Sequence, residues 1–242
     1  MKPMFIAMLF LLSACTVLET RPVKVTTVNV PGSISVAGAV INGSAEARAD
    51  VAAAPVLKAG QQWTYRRMDL WRKEEVERFR QELLFEDIDR WTVRWTILSS
   101  DDAARRGSVT SEVMDPSNES FADSKMKGRY EPLRFPLASG KSWSFDYRIR
   151  SQSGNEVRVT QTATAKSWET VSVPAGSFRA LRVQHDGRYT TSEGGYSWSG
   201  TIQEIYWYAP SARRVVKREY RDTKGDGSTW DQWRDELVDM RL

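Results

Sequence analysis

From Val56 to the C-terminus the chain keeps a period of two. In Trp91 to Ile97 (WTVRWTI), Trp91, Val93, Trp95 and Ile97 alternate with Thr92, Arg94 and Thr96. Successive side chains of a strand point to opposite faces, so such a run makes one apolar and one polar face. Trp143, Phe145, Tyr147 and Ile149 alternate with Ser144, Asp146 and Arg148 in the same way. Turn signals separate the runs: Ser153-Gly154-Asn155, Gly194-Gly195 and Lys224-Gly225-Asp226-Gly227. The spacing predicts strands near 61–71, 75–87, 90–99 and 108–114. A meander of hairpins follows, near 143–150, 156–166, 178–189, 197–208, 213–222 and 228–238. The charged stretch Arg72 to Phe85 is compatible with a helix, but Phe79, Leu83 and Phe85 fit a strand face, and a strand is favoured. The fold class is therefore mainly β.

The pattern also recurs over a longer distance. Leu57 to Tyr65 (LKAGQQWTY) parallels Leu137 to Phe145 (LASGKSWSF), with Gly60 and Gly140, and Trp63 and Trp143, 80 residues apart. Each copy is followed by a long hairpin. Two copies are too few for a solenoid. They predict two similar strand groups that share one core in a single curled antiparallel sheet, barrel-like in form. In each copy the Gly takes a backbone role and the Trp a buried one.

Arg21 to Pro55 is different. It is rich in Ala, Val, Gly, Ser and Thr and has no aromatic residue. Such a stretch has little to bury and reads as a tether, although the alternation Val23-Lys24-Val25-Thr26-Thr27-Val28 would suit an edge strand. Ahead of it, Met1-Lys2 precedes an apolar run, Met4 to Leu12, too short to span a bilayer. The run ends in Leu12-Ser13-Ala14-Cys15, which contains the only cysteine. This resembles the bacterial lipobox, and the resemblance implies cleavage before Cys15 and its acylation. Each buried methylene contributes about 0.8 kcal/mol, so several acyl chains anchor a protein stably. By the same resemblance, Thr16 rather than Asp after Cys15 points to the outer membrane, facing the periplasm. The expected organisation is a signal peptide over 1–14, a lipidated cysteine and tether over 15–55, and an antiparallel β domain over 56–242.

"FPLASGKSW" (Phe135 to Trp143), "VSVPAGSF" (Val171 to Phe178) and "YWYAPSARRVVKREY" (Tyr206 to Tyr220) together resemble a family of uncharacterised bacterial envelope proteins. In that family a PLxxGxxW segment precedes a VPAG-[ST]-F turn and a YWYAP strand end. The resemblance covers roughly residues 130–222. It implies a curled β-sheet or β-barrel-like fold and carries no catalytic residue. The physics of the motifs agrees. Pro174 fixes φ and Gly176 permits positive φ, which makes a tight turn, and Pro210 ends a strand.

Chemistry is sparse. The single histidine, His185, shares a strand face with Leu181 and Val183 and reads as a hydrogen-bonded or edge residue rather than a catalytic base. No paired-His or Cys spacing suits a metal, and no phosphate or dinucleotide loop occurs, so no cofactor is expected. Asp222, Asp226 and Asp231 lie in "DTKGDGSTWD", which lacks the order of a calcium loop and reads as a hairpin turn. Carboxylate pairs of the glycosidase kind have no local signature. The net charge is a mild +4, and nucleic acid is a poor partner for an exported chain. A basic and aromatic patch of Arg213, Arg214, Lys217, Arg218 and Trp207 offers contacts to anionic headgroups or glycans, or else a solvated strand face. The ten tryptophans mean either a heavily aromatic core or exposed stacking platforms. These features predict a lipid-anchored envelope protein without catalytic activity that binds a partner protein, an apolar ligand or a glycan. The alternatives are a lipid or lipoprotein carrier with a Trp-lined cavity and a carboxylate-based glycan-acting enzyme.

Overall fold

The computed structural model describes residues 50–88, 90–121, 126–150 and 154–242. The signal segment, Cys15 and most of the expected tether lie outside the described residues. The described part is antiparallel β. Its strands are β1 Val51–Ala52, β2 Gln62–Asp69, β3 Glu74–Glu86, β4 Trp91–Ser100, β5 Val109–Asp115, β6 Ser120–Phe121 and β7 Met126–Gly128. They continue with β8 Leu137–Ala138, β9 Ser142–Arg150, β10 Glu156–Val173, β11 Gly176–Glu193, β12 Tyr196–Ala209, β13 Arg214–Lys224 and β14 Thr229–Arg241. Twelve of them form one sheet in the order β6-β5-β4-β3-β2-β14-β13-β12-β11-β10-β9-β7, and β1 pairs with β8 alone.

The single curled sheet expected from the alternation is present. One face of it is buried from end to end, as Trp143, Val159, Val183, Tyr206, Tyr220, Leu237, Trp63, Leu83 and Val93 show on successive strands. β6 and β7 are the two outer strands, yet only four residues separate them. An extended chain of that length spans about 17 Å, so the sheet curls until its edges are neighbours. The gap is bridged by the segment after β7. Leu133 N–H donates to Asn118 O at 3.2 Å and Phe135 N–H to Ser117 O at 3.0 Å, which ties this segment to the β5–β6 turn.

The 80-residue repeat is a structural repeat. Gly60 and Gly140 have φ of 87° and 85°, a region only glycine enters cheaply. Gly60 N–H donates to Leu83 O at 2.7 Å and Gly140 N–H to Ala165 O at 2.8 Å. The Trp63 indole donates to Ala212 O and the Trp143 indole to Glu131 O, both at 2.9 Å and both buried. A buried indole needs such an acceptor.

Two features differ from the expected strands. Phe85 is exposed rather than on the core face, because a bulge between Leu83 and Phe85 reverses the alternation there. β10 and β11 also run well past the expected ends. Beyond the Leu181–Tyr208 pair they leave β12 behind, and their tip folds against the rest of the domain. Ala175 N–H donates to Leu237 O at 3.0 Å, and Val171, Phe178 and Ala180 join the core cluster of Trp63, Tyr65 and Trp207. This tip covers one end of the barrel, the end where the chain enters through Val51–Ala52.

Candidate functional site

The opposite end carries the turns β2–β3, β11–β12 and β13–β14. Of the ten tryptophans, the exposed ones all stand there. Trp71 is 51% exposed, Trp198 38% and Trp230 41%, with Tyr196 at 78% beside them. Trp63, Trp91, Trp143 and Trp207 are buried. Among the described residues, the end reached by the hairpin tip has no exposed Trp or Tyr.

Below this aromatic rim the interior holds an unusual run of polar groups. At its mouth, Asp222 of β13 and Asp231 of β14 stand directly opposite each other. Tyr220 and Trp233, the next facing pair inward, stack at 5.0 Å. The Tyr189 phenol crosses the β12 backbone at Gly200, where an added Cβ would lie 2.6 Å from its oxygen. Glycine is required there by close approach, and it lets the phenol hydrogen-bond to Asp222. Burial raises the Asp222 carboxyl above its ordinary range, and the charge of Asp231 adds to this while the Tyr189 and Tyr220 hydroxyls oppose it. Asp231 is raised by burial, with Asp69 contributing and Arg67 opposing.

Deeper in, opposite charges pair. Arg67 forms a two-pronged pair with Asp235 at 2.7 and 2.8 Å, and Arg105 forms an ion pair with Glu77 at 3.0 Å. The guanidiniums of Arg67 and Arg218 both lie over the Trp233 ring, at 4.1 and 4.8 Å. Arg218 donates to Glu204 at 2.7 Å, and the Tyr206 hydroxyl donates to the other Glu204 oxygen at 2.8 Å. Burial works to raise the Glu204 carboxyl, but Arg218 above all holds it below its usual range.

His185 lies at the bottom of this network and is fully buried. Its Nε2 faces Pro132 O at 2.9 Å, and Trp143, Phe145 and Tyr206 surround the ring. Burial pushes its pKa down to about 4. A neutral imidazole then carries its proton on Nε2, bonded to a carbonyl and shut off from solvent. It is placed to hold structure.

The five residues of the basic patch do not form one surface, although Lys217 and Trp207 are brought together. Alternation along β13 sends Arg214 and Arg218 into the barrel and Lys217 to the outer face. Arg214 is buried against Glu119 at 3.2 Å, with Gln81 as a second partner and Trp63 under its guanidinium. Lys217 sits 4.3 Å over Trp207 and pairs with Glu219. Trp207 is covered by the hairpin tip and bonds Glu169. Arg213 takes a left-handed backbone at the turn and donates to Val56 O at 3.2 Å.

The Asp222–Asp231 pair was within reach of the sequence. A hairpin centred on Lys224 to Gly227 sets the two residues opposite each other once the register is known. Reading that segment only as a turn misses the pair. On the outer face of β10–β13 there is also a groove of about 500 Å³, lined by Thr160, Thr162, Asp186, Thr201, Gln203 and Arg221 among others. No aromatic ring lines it. Among the described residues no group of three acids or histidines is placed to hold a metal.

A curled, nearly closed antiparallel sheet is a fold that solved structures share. A presumed exported protein with a YmcC-like fold from Bacteroides fragilis superposes with a TM-score of 0.52 at 15% identity, over 79% of this chain and all of that one. A presumed lipoprotein from Parabacteroides distasonis gives 0.53 at 11% identity, over 78% of this chain and 99% of that one. The hypothetical lipoprotein YmcC from Escherichia coli gives 0.37 at 12% identity, over 77% and 86%, a superposition too loose to argue from. The chain has the YmcC-like fold. No family model matches the sequence, and no curated protein matches it.

Proposed function

We propose that this protein is a lipid-anchored component of the bacterial envelope, held in the outer membrane through Cys15, whose β domain binds a glycan at its aromatic rim without catalysing a reaction. The observation that carries this is the position of the exposed tryptophans. Trp71, on a turn, and Trp198, Trp230 and Tyr196, at the adjoining strand ends, stand at one end, away from the end where the chain enters. Exposed aromatic groups of this size on a folded domain mark binding surfaces. The neighbours in fold, described as exported or as a lipoprotein, accord with the LSAC segment and with an envelope location.

A carrier with an apolar cavity is less well supported. The interior is lined by Arg67, Asp235, Glu204 and Arg218, which suit no acyl chain.

Electrophoresis through native gels containing soluble polysaccharides tests the proposal. The protein should be retarded in at least one such gel, and Trp198→Ala and Trp230→Ala should each abolish the retardation with an unchanged melting temperature. Equal retardation of wild type and both variants would remove the rim from binding.

A further inference from the structure

The rim accounts for stacking but not for the two carboxylates beneath it. Like charges directly opposite in an antiparallel pair destabilise a sheet, and here both sit on the inner face, in the register Asp222–Asp231. Asp222 is only 8% exposed, and its Oδ1 has no hydrogen-bond partner among the described residues. Burying an acceptor without a partner is costly. Neither aspartate has a salt-bridge partner among the described residues, whereas the nearby cations are already engaged. Arg67 is held by Asp235, Arg218 by Glu204, and Arg72 by Asp69 and Asp101. Lys224 lies 3.8 Å over the Trp230 ring.

Resting on the reading of the rim as a glycan site, we infer that the mouth recognises an ammonium group, and that the ligand is a glycan bearing free amines. A primary ammonium has three donors and one positive charge. It can bond both aspartates at once, satisfy Asp222 Oδ1 and relieve the repulsion between the two. Asp222 lies two residues, about 7 Å, below Lys224 on β13, so a sugar whose amine reaches the pair has its ring at the level of the tryptophans. The faces of Trp198 and Trp230 then offer stacking and cation–π contact. A metal ion is a poorer match, because no three-ligand group is in place among the described residues. A neutral glycan gives no reason for two opposed acids.

The test is a fluorescence titration of the full lipidated protein in detergent at mildly acidic pH. The probes are a glucosamine hexamer and its fully N-acetylated counterpart. The glucosamine hexamer should bind about tenfold tighter or more, as charge-assisted hydrogen bonds predict. Asp222→Asn and Asp231→Asn should each erase the preference while melting no lower than wild type, since each removes a repulsion. Added salt should weaken the glucosamine hexamer selectively, a readout that needs no variant. Spermidine should compete with the glucosamine hexamer, as an ammonium site requires, and binding tighter than the hexamer would assign the amine to a polyamine and overturn the glycan. Equal affinity for the two hexamers, lost in Trp198→Ala, would overturn the ammonium inference and leave the rim reading standing. Binding of neither hexamer, or retention of the preference in both aspartate variants, would overturn it as well. So would release of new reducing ends, which would make the pair a catalytic acid and base.

Discussion

A histidine sealed inside a barrel makes stability depend on pH. In the folded state the pKa of His185 is about 4, against an ordinary 6.5. The unfolded chain therefore takes up a proton at a higher pH than the folded one. Stability from the neutral ring is complete above about pH 6.5 and is lost as pH falls from 6.5 toward 4. The gap corresponds to about 3 kcal/mol. Glu119, Asp222 and Asp231 are raised by burial and act in the opposite sense, gaining protons more readily when folded. The contribution of His185 is therefore read as a difference. Urea unfolding of wild type and His185→Gln should show wild type more stable at neutral pH, with the advantage shrinking by up to about 3 kcal/mol on acidification to pH 4. Parallel curves would mean that His185 does not titrate with folding. The role of this residue was legible from its neighbours Leu181 and Val183 on one strand face. Its partner was not, because Pro132 lies on a distant segment and only the curl of the sheet brings it near.

At the scale of elements, the two copies of the Gly-x-x-Trp segment behave as one device used twice. A glycine with positive φ turns the chain into a strand, a backbone bond fixes it to the neighbouring hairpin, and an indole three residues on fills the core. Trp63→Ala and Trp143→Ala should each cost about 3–5 kcal/mol, whereas Trp198→Ala at the rim should stay within about 0.5 kcal/mol. Urea midpoints of the three variants decide it, and near-native midpoints for the first two would put those rings outside the core. Alternation located the hairpins because a half-buried strand must alternate. It located their ends less well. β10 and β11 were expected to stop near 166 and to start near 178, and they meet instead at Val173 and Gly176. The shift in register between Ala165 and Trp168 breaks the period there, and the hairpin tip is held by Leu237, a contact no local pattern encodes.

For the whole molecule the question is where the domain begins. Residues 24–49 contain no aromatic side chain, while Ala52 is buried and pairs with Leu137. Asp50 O also accepts from the Trp168 indole at 3.3 Å. Deleting 24–49 should leave the melting temperature of the domain nearly unchanged. Extending the deletion through 55 should lower it by a few degrees, as a loss of about 1 kcal/mol does in a domain of this size. Thermal unfolding of the two deletions locates the boundary, and a lower melting temperature for the shorter one would place part of 24–49 in the fold.

The sequence by itself determined that the domain is an antiparallel meander, that Gly60 and Gly140 are turning points and that Trp63 and Trp143 are interior. These are properties of neighbours a few residues apart, and local sterics and burial dictate them. Only the tertiary structure decided that the basic patch divides between two faces, that three tryptophans gather at one rim and that two aspartates face each other beneath it. Each of those facts depends on strand parity and register across a curled sheet of many strands. A shift of one residue there sends a side chain to the other face, and no short stretch of sequence records which way it went.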